Sequence, residues 1–588
     1  MTAIRIKLLT AFFLSFSLVI AFRLFSWQIL KSDGLASLAK AQQQISSTLD
    51  AKRGSILASD NYPLALSSEG WLAWASIPQI KEPLEISEKL APILADRPIP
   101  KEKESSFSAQ VDEDATASAK TQEELTQEEE ERLQNLLTKT DVVWVALKKR
   151  VTKLQKQEIE NLKIEGIGFN AEENRSYSES SLGAHLLGFV GQDAGGSDKG
   201  YFGLEGFYNL TLSGSRGTKA WEKDASGKPI VLGDLRQITA LNGLTIKTHI
   251  DRSVQFTIEK HLKEGVEKYQ ADGGTVVVMR PQDGAILGMA SFPTFDPGQY
   301  SYFKNERFID PAVSQSFEPG SIFKVLVMSW AFDADAVDLE TKCDNCAGPR
   351  KIAEYTIESG TKEYYPDTNM QDIIKHSDNI GMVWVAERLG FDKFYEYLTK
   401  FGFGTLTDID LQGEVSPALR KKDSWGFVDL ATASFGQGIA VTSVQMVRAM
   451  SVLANRGKLP TPQVVDKIVG DNWEEDIKPE LSEQLIKSET AKIITDIMVN
   501  NVESRNDWHK PDGVKLAGKT GTAQVAIAGH YDPDKTVASF LGFGPADNPK
   551  YVMIVSLKDP KAAPFASQTA APLWFAISKD LLVYLSGN

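Results

Sequence analysis

The segment from Ser321 to Phe332 constrains the fold of this chain most, because it is apolar nearly all round and yet holds one lysine, Lys324. A helix that is hydrophobic on every face lies in a domain core rather than on its surface. Burial disfavours the charged ammonium and lowers the pKa of a lysine toward neutrality. The sequence therefore predicts a core helix that carries a lysine able to act as a base.

Ser321 is the residue that such a base can activate. It lies three positions before Lys324, so the two side chains are neighbours on one helical face. Serine alone is a poor nucleophile and needs a base to take its proton. The preceding Glu318-Pro319-Gly320 is typical of a helix start, where backbone amides lack partners and can hold an oxyanion. We therefore predict that Ser321 is a nucleophile whose own amide is one oxyanion donor.

Two further motifs follow this serine in order, Ser377-Asp378-Asn379 and Lys519-Thr520-Gly521. The Ser-x-x-Lys pattern alone is weak evidence, because Ser37-Leu38-Ala39-Lys40 and Ser301-Tyr302-Phe303-Lys304 repeat it without a comparable context. The set of three, with a buried helix at the first motif and a strand pattern at the third, matches the signature of penicillin-recognising enzymes with an active-site serine.

The second and third motifs supply different chemical groups. Ser377 can pass a proton between the lysine and a leaving amine, and Asn379 can orient the lysine and a substrate amide. Lys519 offers positive charge to a substrate carboxylate. The predicted catalytic groups are Ser321, Lys324, Ser377, Asn379 and Thr522, and the predicted substrate-binding groups are Lys519, Thr520 and Gly521.

The third motif should lie on the edge of a sheet. The Thr520 hydroxyl stands beside Lys519, and Gly521 lets another chain lie close to the strand backbone. The amide of Thr522 would be the second oxyanion donor. An extended substrate peptide could add to this edge.

Strand and helix patterns around the motifs predict one α/β domain. A helix with Asp251 as its N-cap is expected from apolar residues at helical spacing, namely Val254, Ile258, Leu262, Val266 and Tyr269. Two strands are expected around Asp283-Gly284, at 275–280 and 285–290, and three more at 514–525, 536–543 and 551–557. An apolar helix at 571–585 closes the chain. The sheet should therefore assemble from distant segments, with a helical lobe between them.

The N-terminal segment predicts a membrane anchor. Residues 8–30 are mostly apolar with Arg23 as their only charge, and about 20 such residues cross a bilayer. A cleaved signal peptide is the alternative, since Arg5 and Lys7 are basic, but the small residues at Ala39-Lys40-Ala41 lie too far along the chain. We expect a retained anchor.

Composition excludes several kinds of function. The 588 residues hold 64 bases and 78 acids, and a net charge of −14 argues against a nucleic-acid partner. Six scattered histidines suggest no metal site. The two cysteines, Cys343 and Cys346, leave open a loop disulfide, idle thiols, a redox pair or half of a metal site. An acidic insertion at about 98–139 is either a solvated helix or mobile loop, or a segment that docks a partner.

The chain resembles class B penicillin-binding proteins, the monofunctional peptidoglycan transpeptidases, over nearly all of its length. Besides the three motifs, the resemblance rests on Arg53-Gly54-Ser55-Ile56, His185-Leu186-Leu187-Gly188-Phe189-Val190, Gly203-Leu204-Glu205, Pro293-Thr294-Phe295-Asp296-Pro297, and Gly436-Gln437-Gly438 with Thr442 and Gln445. Lys519 to Ala523 and Asn379 to Met382 look more like the septal than the elongation branch. Ser178 and the segment 59–62 depart from the family pattern.

The resemblance implies a fold class and a domain plan. The catalytic domain would be an α/β domain of the serine penicillin-recognising type, with an antiparallel sheet flanked by helices and a helical lobe. An α+β non-catalytic part, here called the pedestal, and one transmembrane helix would precede it. The expected ranges are 1–30 for the cytoplasmic tip and anchor, 31–244 for the pedestal and 245–588 for the transpeptidase domain.

The resemblance also implies a function. Ser321 would attack a D-Ala-D-Ala stem peptide and pass the acyl group to an amine, which cross-links peptidoglycan in the septal wall and requires no cofactor. β-Lactams would acylate the same serine. The chain would cross the bacterial plasma (inner) membrane once, with its N-terminus inside, and work with a glycan polymerase and other divisome proteins. Hydrolysis as a carboxypeptidase or β-lactamase, an elongation role, and an idle scaffold or β-lactam sensor remain alternatives.

Overall fold

A computed structural model describes residues 2–36, 44–96, 121–223, 230, 235–360, 362–527 and 530–586. The chain divides into two compact units, Met1–Arg53 with Ser213–Gly243, and Gly54–Leu212 with Leu244–Asn588.

The strands are β1 (Gln44–Leu49), β2 (Ile56–Leu57), β3 (Pro63–Ser76), β4 (Trp144–Val151), β5 (Ile167–Tyr177), β6 (Phe189–Gln192), β7 (Asp198–Tyr201), β8 (Gly217–Glu222), β9 (Leu235–Ile238), β10 (Thr245–Thr248), β11 (Gly273–Met279), β12 (Ile286–Phe292), β13 (Arg350–Ile352), β14 (Tyr355–Ile357), β15 (Lys458–Pro460), β16 (Val465–Val469), β17 (Glu474–Asp476), β18 (Leu481–Gln484), β19 (Ala517–Ile527), β20 (His530–Gly544) and β21 (Tyr551–Lys558).

The α-helices are α1 (Thr2–Phe25), α2 (Pro83–Leu94), α3 (Gln122–Leu137), α4 (Lys153–Asn161), α5 (Ala184–Leu187), α6 (Gly203–Phe207), α7 (Asn209–Ser213), α8 (Arg252–Tyr269), α9 (Pro311–Ser314), α10 (Lys324–Asp333), α11 (Met370–His376), α12 (Asn379–Leu389), α13 (Phe391–Lys400), α14 (Phe427–Ala433), α15 (Ser443–Ala454), α16 (Ser488–Glu503) and α17 (Ala570–Ser586).

The first unit begins with the apolar helix α1, which a π-helical turn extends to Leu30. The resulting span, Ala3–Leu30, is 28 residues long and 0% buried, so its length and composition suit a membrane crossing. The Arg23 guanidinium lies 5.0 Å from the centre of the Trp27 ring, near the end of the span where a long cation can reach water. The same unit holds a three-stranded antiparallel sheet in the order β1-β8-β9.

The larger sheet of the second unit runs β17-β16-β10-β2-β3-β4, with β5 also paired to β3. Strand β10 pairs parallel with β2 of the pedestal and antiparallel with β16 from the C-terminal half of the chain. One sheet therefore continues across residue 244, where the sequence predicts a domain boundary. The boundary itself stays a prediction.

Part of the acidic insertion forms helix α3. Thr121 caps it by accepting a hydrogen bond from the Glu124 amide, and the Glu124 carboxylate accepts one from the Thr121 amide. Leu133 and Leu137 are buried against α2, while most of the glutamates face solvent. The structure thus has a solvated helix at 122–137, and the rest of the segment up to residue 120 lies outside the described residues.

Three of the pedestal segments on which the family resemblance rests lie close together: 53–56, 185–190 and 203–205. The Arg175 guanidinium donates to the Glu205 carboxylate at 2.6 Å and to the Gly54 carbonyl at 2.7 Å, and both charged side chains are buried. A Cβ on Gly203 would lie 2.4 Å from the Leu186 carbonyl oxygen, so only glycine permits this approach. These three segments are therefore packed together next to the buried ion pair of Arg175 and Glu205.

The catalytic sheet is antiparallel and has the order β12-β11-β21-β20-β19. Its five strands are the two early and three late segments that the sequence predicts. Helices α8 and α17 pack on it, and Asp251 caps α8 by accepting from the amides of Ser253 and Val254. Strand β19, which carries the third motif, is at the edge of this sheet.

The predicted core helix from Ser321 begins differently from a simple α-helix. A 3-10 turn spans Gly320–Ile322, and the α-helix proper, α10, begins at Lys324. Gly320 has a φ of +55°, which glycine adopts without strain. Residues 324–332 are all buried, as the apolar sequence predicts.

The two cysteines form a disulfide in the helical lobe, so the structure selects the first of the four alternatives for Cys343 and Cys346. The loop that holds it is tied to its neighbours on two sides. The Cys343 amide donates to the Thr368 carbonyl at 2.9 Å, and the Trp384 indole donates to the Asp344 carboxylate at 2.7 Å. The bond therefore belongs to a packed loop between α10 and β13, which is hydrogen-bonded to the segment just before α11 and to α12.

Candidate active site

Ser321 lies where the core helix reaches the surface of the domain. Its side chain is partly exposed, while Ile322 and Phe323 beside it are fully buried. The Gly320 amide donates to the Gly436 carbonyl at 3.0 Å, which fixes the turn from outside the helix. The serine is thus accessible on a backbone that its neighbours hold rigid.

Lys324 contacts the second motif. Its Nζ lies 2.7 Å from Asn379 Oδ1, 2.5 Å from the Ser377 carbonyl oxygen and 3.2 Å from Ser377 Oγ. The side chain is 0% exposed. Helix α10 therefore delivers a buried amine to the residues that the sequence predicts as its partners.

Burial lowers the pKa of Lys324 well below its ordinary value, and the positive charge of Lys519 lowers it further. The Asp378 carboxylate acts in the opposite direction. Burial, together with the charge of Arg505, lowers the pKa of Lys519 to about 7. The burial of Lys324 therefore favours its unprotonated amine, which is the form that accepts a proton.

Ser377 is held in a left-handed backbone conformation between α11 and α12, with φ +54° and ψ +40°. This conformation costs free energy for a residue with a Cβ and is found mainly where the surroundings require it. Asp378 caps α12 by accepting from the Ile380 amide at 2.9 Å. The turn directs the Ser377 hydroxyl toward both lysines.

Asn379 is oriented by a loop that precedes the second motif. Its Nδ2 donates to the Glu358 carbonyl oxygen at 3.0 Å. Because the amide nitrogen is engaged there, the oxygen of the same side chain faces Lys324. The sequence predicts the orienting role of Asn379 but gives no sign of the Glu358 carbonyl, since a backbone acceptor in a loop leaves no sequence pattern.

Lys519 brings the third motif to the same place. Its Nζ lies 3.0 Å from Ser377 Oγ, 3.0 Å from the Thr520 carbonyl oxygen and 3.5 Å from Thr520 Oγ1. Ser377 Oγ is thus within hydrogen-bonding distance of both lysine amines. This geometry allows a proton to pass between the Lys324 side and the Lys519 side through one hydroxyl.

Gly521 allows β19 to lie against the Ser321 turn. A Cβ at this position would be 2.9 Å from Ile322 Cγ2, 2.9 Å from the Pro319 carbonyl oxygen and 3.0 Å from the Ile322 amide nitrogen. The sequence predicts that a neighbouring chain lies close to Gly521, and in the structure that chain is the turn that holds Ser321. A Cβ on Gly320 would in turn lie 3.3 Å from the Thr522 carbonyl oxygen.

The backbones of Ser321 and Thr522, the two predicted oxyanion donors, are therefore close neighbours. The Thr522 hydroxyl is occupied elsewhere, because it accepts a hydrogen bond from the Ala566 amide at 3.0 Å. This leaves Thr522 a backbone role in the site and ties β19 to the loop before α17.

Replacing Gly521 with alanine is expected to slow acylation by penicillin about 100-fold, the cost of roughly 1 Å of misplacement at a reacting centre. The added methyl group meets backbone atoms of the Ser321 turn that cannot rotate away. The second-order rate of labelling by a fluorescent penicillin measures this. Gly348→Ala is the matched control, because a Cβ there meets nothing within 4 Å. Equal rates for Gly521→Ala and the wild type would contradict this account of the site.

Family models agree with this geometry. The model described as the penicillin binding protein transpeptidase domain matches residues 274–581, and that of the penicillin-binding protein dimerisation domain matches residues 48–248. All predicted site residues lie inside the first match.

Individual relatives extend over most of the chain. Stage V sporulation protein D of Bacillus subtilis (strain 168) is 30% identical over 580 residues, which cover 96% of this chain and 83% of that protein. The probable peptidoglycan D,D-transpeptidase PenA of Neisseria gonorrhoeae is 29% identical over 433 residues, covering 73% of this chain and 72% of that protein.

A solved structure also matches. The crystal structure of a peptidoglycan synthetase from Bifidobacterium adolescentis ATCC 15703 superimposes with a TM-score of 0.70 at 27% identity, covering 92% of this chain and 97% of that chain. The predicted family, fold class and class of enzyme, a serine transpeptidase, are confirmed. The chain belongs to the penicillin-binding proteins that carry a dimerisation domain and a transpeptidase domain.

Proposed function

We propose that this chain cross-links peptidoglycan by D,D-transpeptidation of stem peptides, with Ser321 as the nucleophile. The observation that carries this proposal is the position of Ser377 Oγ, 3.2 Å from Lys324 Nζ and 3.0 Å from Lys519 Nζ, beside the Ser321 turn. A base, a proton relay and a cation for a carboxylate thus converge next to one accessible serine. The name of the gonococcal relative, a probable peptidoglycan D,D-transpeptidase, supports the same reaction.

In the first half of the reaction, Lys519 and Thr520 hold the carboxylate of the terminal D-Ala. Lys324 takes the proton of Ser321 as its oxygen attacks the penultimate D-Ala carbonyl. The amides of Ser321 and Thr522 stabilise the oxyanion that forms. The proton returns through Ser377 to the leaving nitrogen, the amide bond breaks, and free D-Ala departs from an acyl ester.

In the second half, the amine of a neighbouring stem peptide attacks the ester carbonyl and loses a proton to the same base. The C–O bond breaks, Ser321 regains its proton, and the new amide is the cross-link. A β-lactam undergoes the same first half of the reaction, because its strained amide carbonyl and its carboxylate have the same relative positions as those of the D-Ala-D-Ala donor. Its ring stays attached after opening, so no leaving group vacates the site for the amine.

The setting of the enzyme is part of this proposal. The apolar span Ala3–Leu30 would anchor it once in the bacterial plasma membrane, with the N-terminus inside and the domains on the side where peptidoglycan lies. The proposed organisation is an anchor at 1–30, a pedestal at 31–244 and a transpeptidase domain at 245–588. A chain that only cross-links requires a separate glycan polymerase, which we infer to be a membrane partner within the division machinery.

The septal role is supported by the motif context. The run from Lys519 to Ala523 and the residues that follow Asn379 resemble the septal branch. One relative is named stage V sporulation protein D, and another is named a peptidoglycan D,D-transpeptidase FtsI homolog. We propose that this chain acts in the septal wall during cell division.

The full-length protein in detergent, mixed with a donor pentapeptide and an amine acceptor, tests the reaction. We expect an amide-linked product that exceeds hydrolysed tetrapeptide, together with a penicillin adduct that persists for many minutes in intact-mass spectra. Rapid turnover of penicillin with only hydrolysed peptide would instead identify a hydrolase. Absence of any adduct would identify a scaffold or an idle relative.

A further inference from the structure

Glu318 lies three residues before the nucleophile and connects two segments that border the site. Its carboxylate accepts a hydrogen bond from the Gly438 amide at 2.9 Å. The same carboxylate accepts from the Tyr531 hydroxyl, which lies 3.0 Å from Oε2 and 3.2 Å from Oε1. One side chain thus joins the Ser321 turn to the segment 436–441 and to the hairpin formed by β19 and β20.

The connection to residues 436–441 is reinforced by the backbone on both sides of Glu318. Phe317 and Val441 exchange two hydrogen bonds of 2.9 Å each, and the Gly320 amide donates to the Gly436 carbonyl. This part of the contact is therefore rigid. The Tyr531 hydroxyl, by contrast, comes from a side chain that is 43% exposed at the far end of the hairpin.

The hairpin end is where a long acyl donor would lie. Its carboxylate would bind at Lys519 and Thr520 and its reacting carbonyl beside Thr522, so the rest of the donor continues along β19 toward Ala526. Tyr531 is paired with Ala526 across the hairpin. Four residues of extended strand beyond Thr522 span about 14 Å, which a donor of three or four further residues reaches.

We propose that Glu318 and Tyr531 are positioning residues that hold the far end of the β19–β20 hairpin against the Ser321 turn, and so fix the part of the groove that receives the stem peptide beyond its D-Ala residues. This inference rests on the proposed function and adds a determinant of donor length. The register shift in the hairpin between Gln524 and Ala526 allows the strand to bend there, so the end of the hairpin requires a fixed point. Burial raises the pKa of Glu318, and the two hydrogen bonds favour its carboxylate form.

The test compares two thioester donors with the same leaving group, a short acyl-D-alanyl donor and one with a full stem-peptide acyl part. The full-length protein is assayed as wild type, Tyr531→Phe, Glu318→Ala and the double variant. We expect KM for the long donor to rise about tenfold relative to the short donor in each variant, the size of one hydrogen bond to a charged group. The KM ratio of the double variant should change no more than that of Glu318→Ala, because both changes break the same hydrogen bond between Glu318 and Tyr531.

Tyr397→Phe is the matched control. It removes another tyrosine–carboxylate hydrogen bond, to Asp333 at 2.6 Å, and Asp333 is at the opposite end of α10 from Lys324. This variant should keep the wild-type ratio between donors. An unchanged ratio of KM between the long and the short donor in Tyr531→Phe would overturn the positioning role. Penicillin labelling of Ser321 in the same variant would still support the reaction. A wild type that penicillin does not label would refute the proposed function itself, and with it this inference.

Discussion

Ser321→Ala is expected to abolish covalent labelling by penicillin while the protein remains folded. The change removes one oxygen atom, for which we find no hydrogen bond among the described residues, from a partly exposed side chain. Surface changes of this kind alter the free energy of unfolding by at most about 0.5 kcal/mol. The thermal midpoint should therefore stay within about 2 °C of the wild type. Intact mass after mixing with penicillin measures the labelling.

The chain supplies its own control for this experiment. Ser301 stands in a second Ser-x-x-Lys pattern with Lys304, but this serine lies on a 3-10 turn at the surface and not on the core helix. Ser301→Ala should label at the wild-type rate. A penicillin adduct that persists in Ser321→Ala would refute the assignment of the nucleophile.

The parts of this site that local sequence predicts are those that depend on burial and periodicity. Apolar neighbours on every side indicate that Lys324 is buried, and the structure places it at 0% exposure. Strand-like segments and the turn residues Asp283-Gly284 likewise predict the five strands of the catalytic sheet. These features follow from the sequence because each depends on residues close together in the chain.

Contacts between distant segments could not be predicted in the same way. The left-handed conformation of Ser377, the Glu358 carbonyl behind Asn379 and the hydrogen bond between Glu318 and Tyr531 each depend on how loops meet after folding. Gly521 is an intermediate case. Its need for a close neighbour is visible in the sequence, but the identity of that neighbour, the Ser321 turn, is a property of the fold.

The sheet shared by the pedestal and the C-terminal half shows the same limit. Strand β2 is very short, and β10 and β16 lie far apart in the chain, so no local pattern indicates that they pair. Their pairing joins one sheet across residue 244, where the sequence predicts a domain boundary. It also gives the pedestal a direct hydrogen-bonded connection to the transpeptidase half.

Lys324→Met is expected to slow acylation about 1000-fold and to weaken the dependence of stability on pH. A positioned general base contributes roughly 10²- to 10⁴-fold to a rate, and methionine keeps most of the lysine volume without a base.

In the wild type, the acylation rate should rise with pH as Lys324 loses its proton, because only the free amine accepts the serine proton. The acylation rate should fall again above about pH 7, where Lys519 loses the charge that binds a carboxylate. The variant should lose the rising limb of this pH profile, as measured by fluorescent-penicillin labelling.

The effect on stability has a definite sign. The pKa of Lys324 is lower in the folded than in the unfolded chain, so between the lowered value and 10.5 the unfolded chain binds more protons and stability rises with pH. At neutral pH the wild type therefore carries a cost for burying this amine, and methionine removes this cost together with the hydrogen bonds to Ser377 and Asn379. The thermal midpoint of Lys324→Met should therefore depend less on pH than that of the wild type. The exposed Lys579→Met is the control, with unchanged rate and midpoint. A Lys324→Met variant that keeps the wild-type pH dependence of its midpoint and acylates at the wild-type rate would contradict both the burial argument and the role of the base.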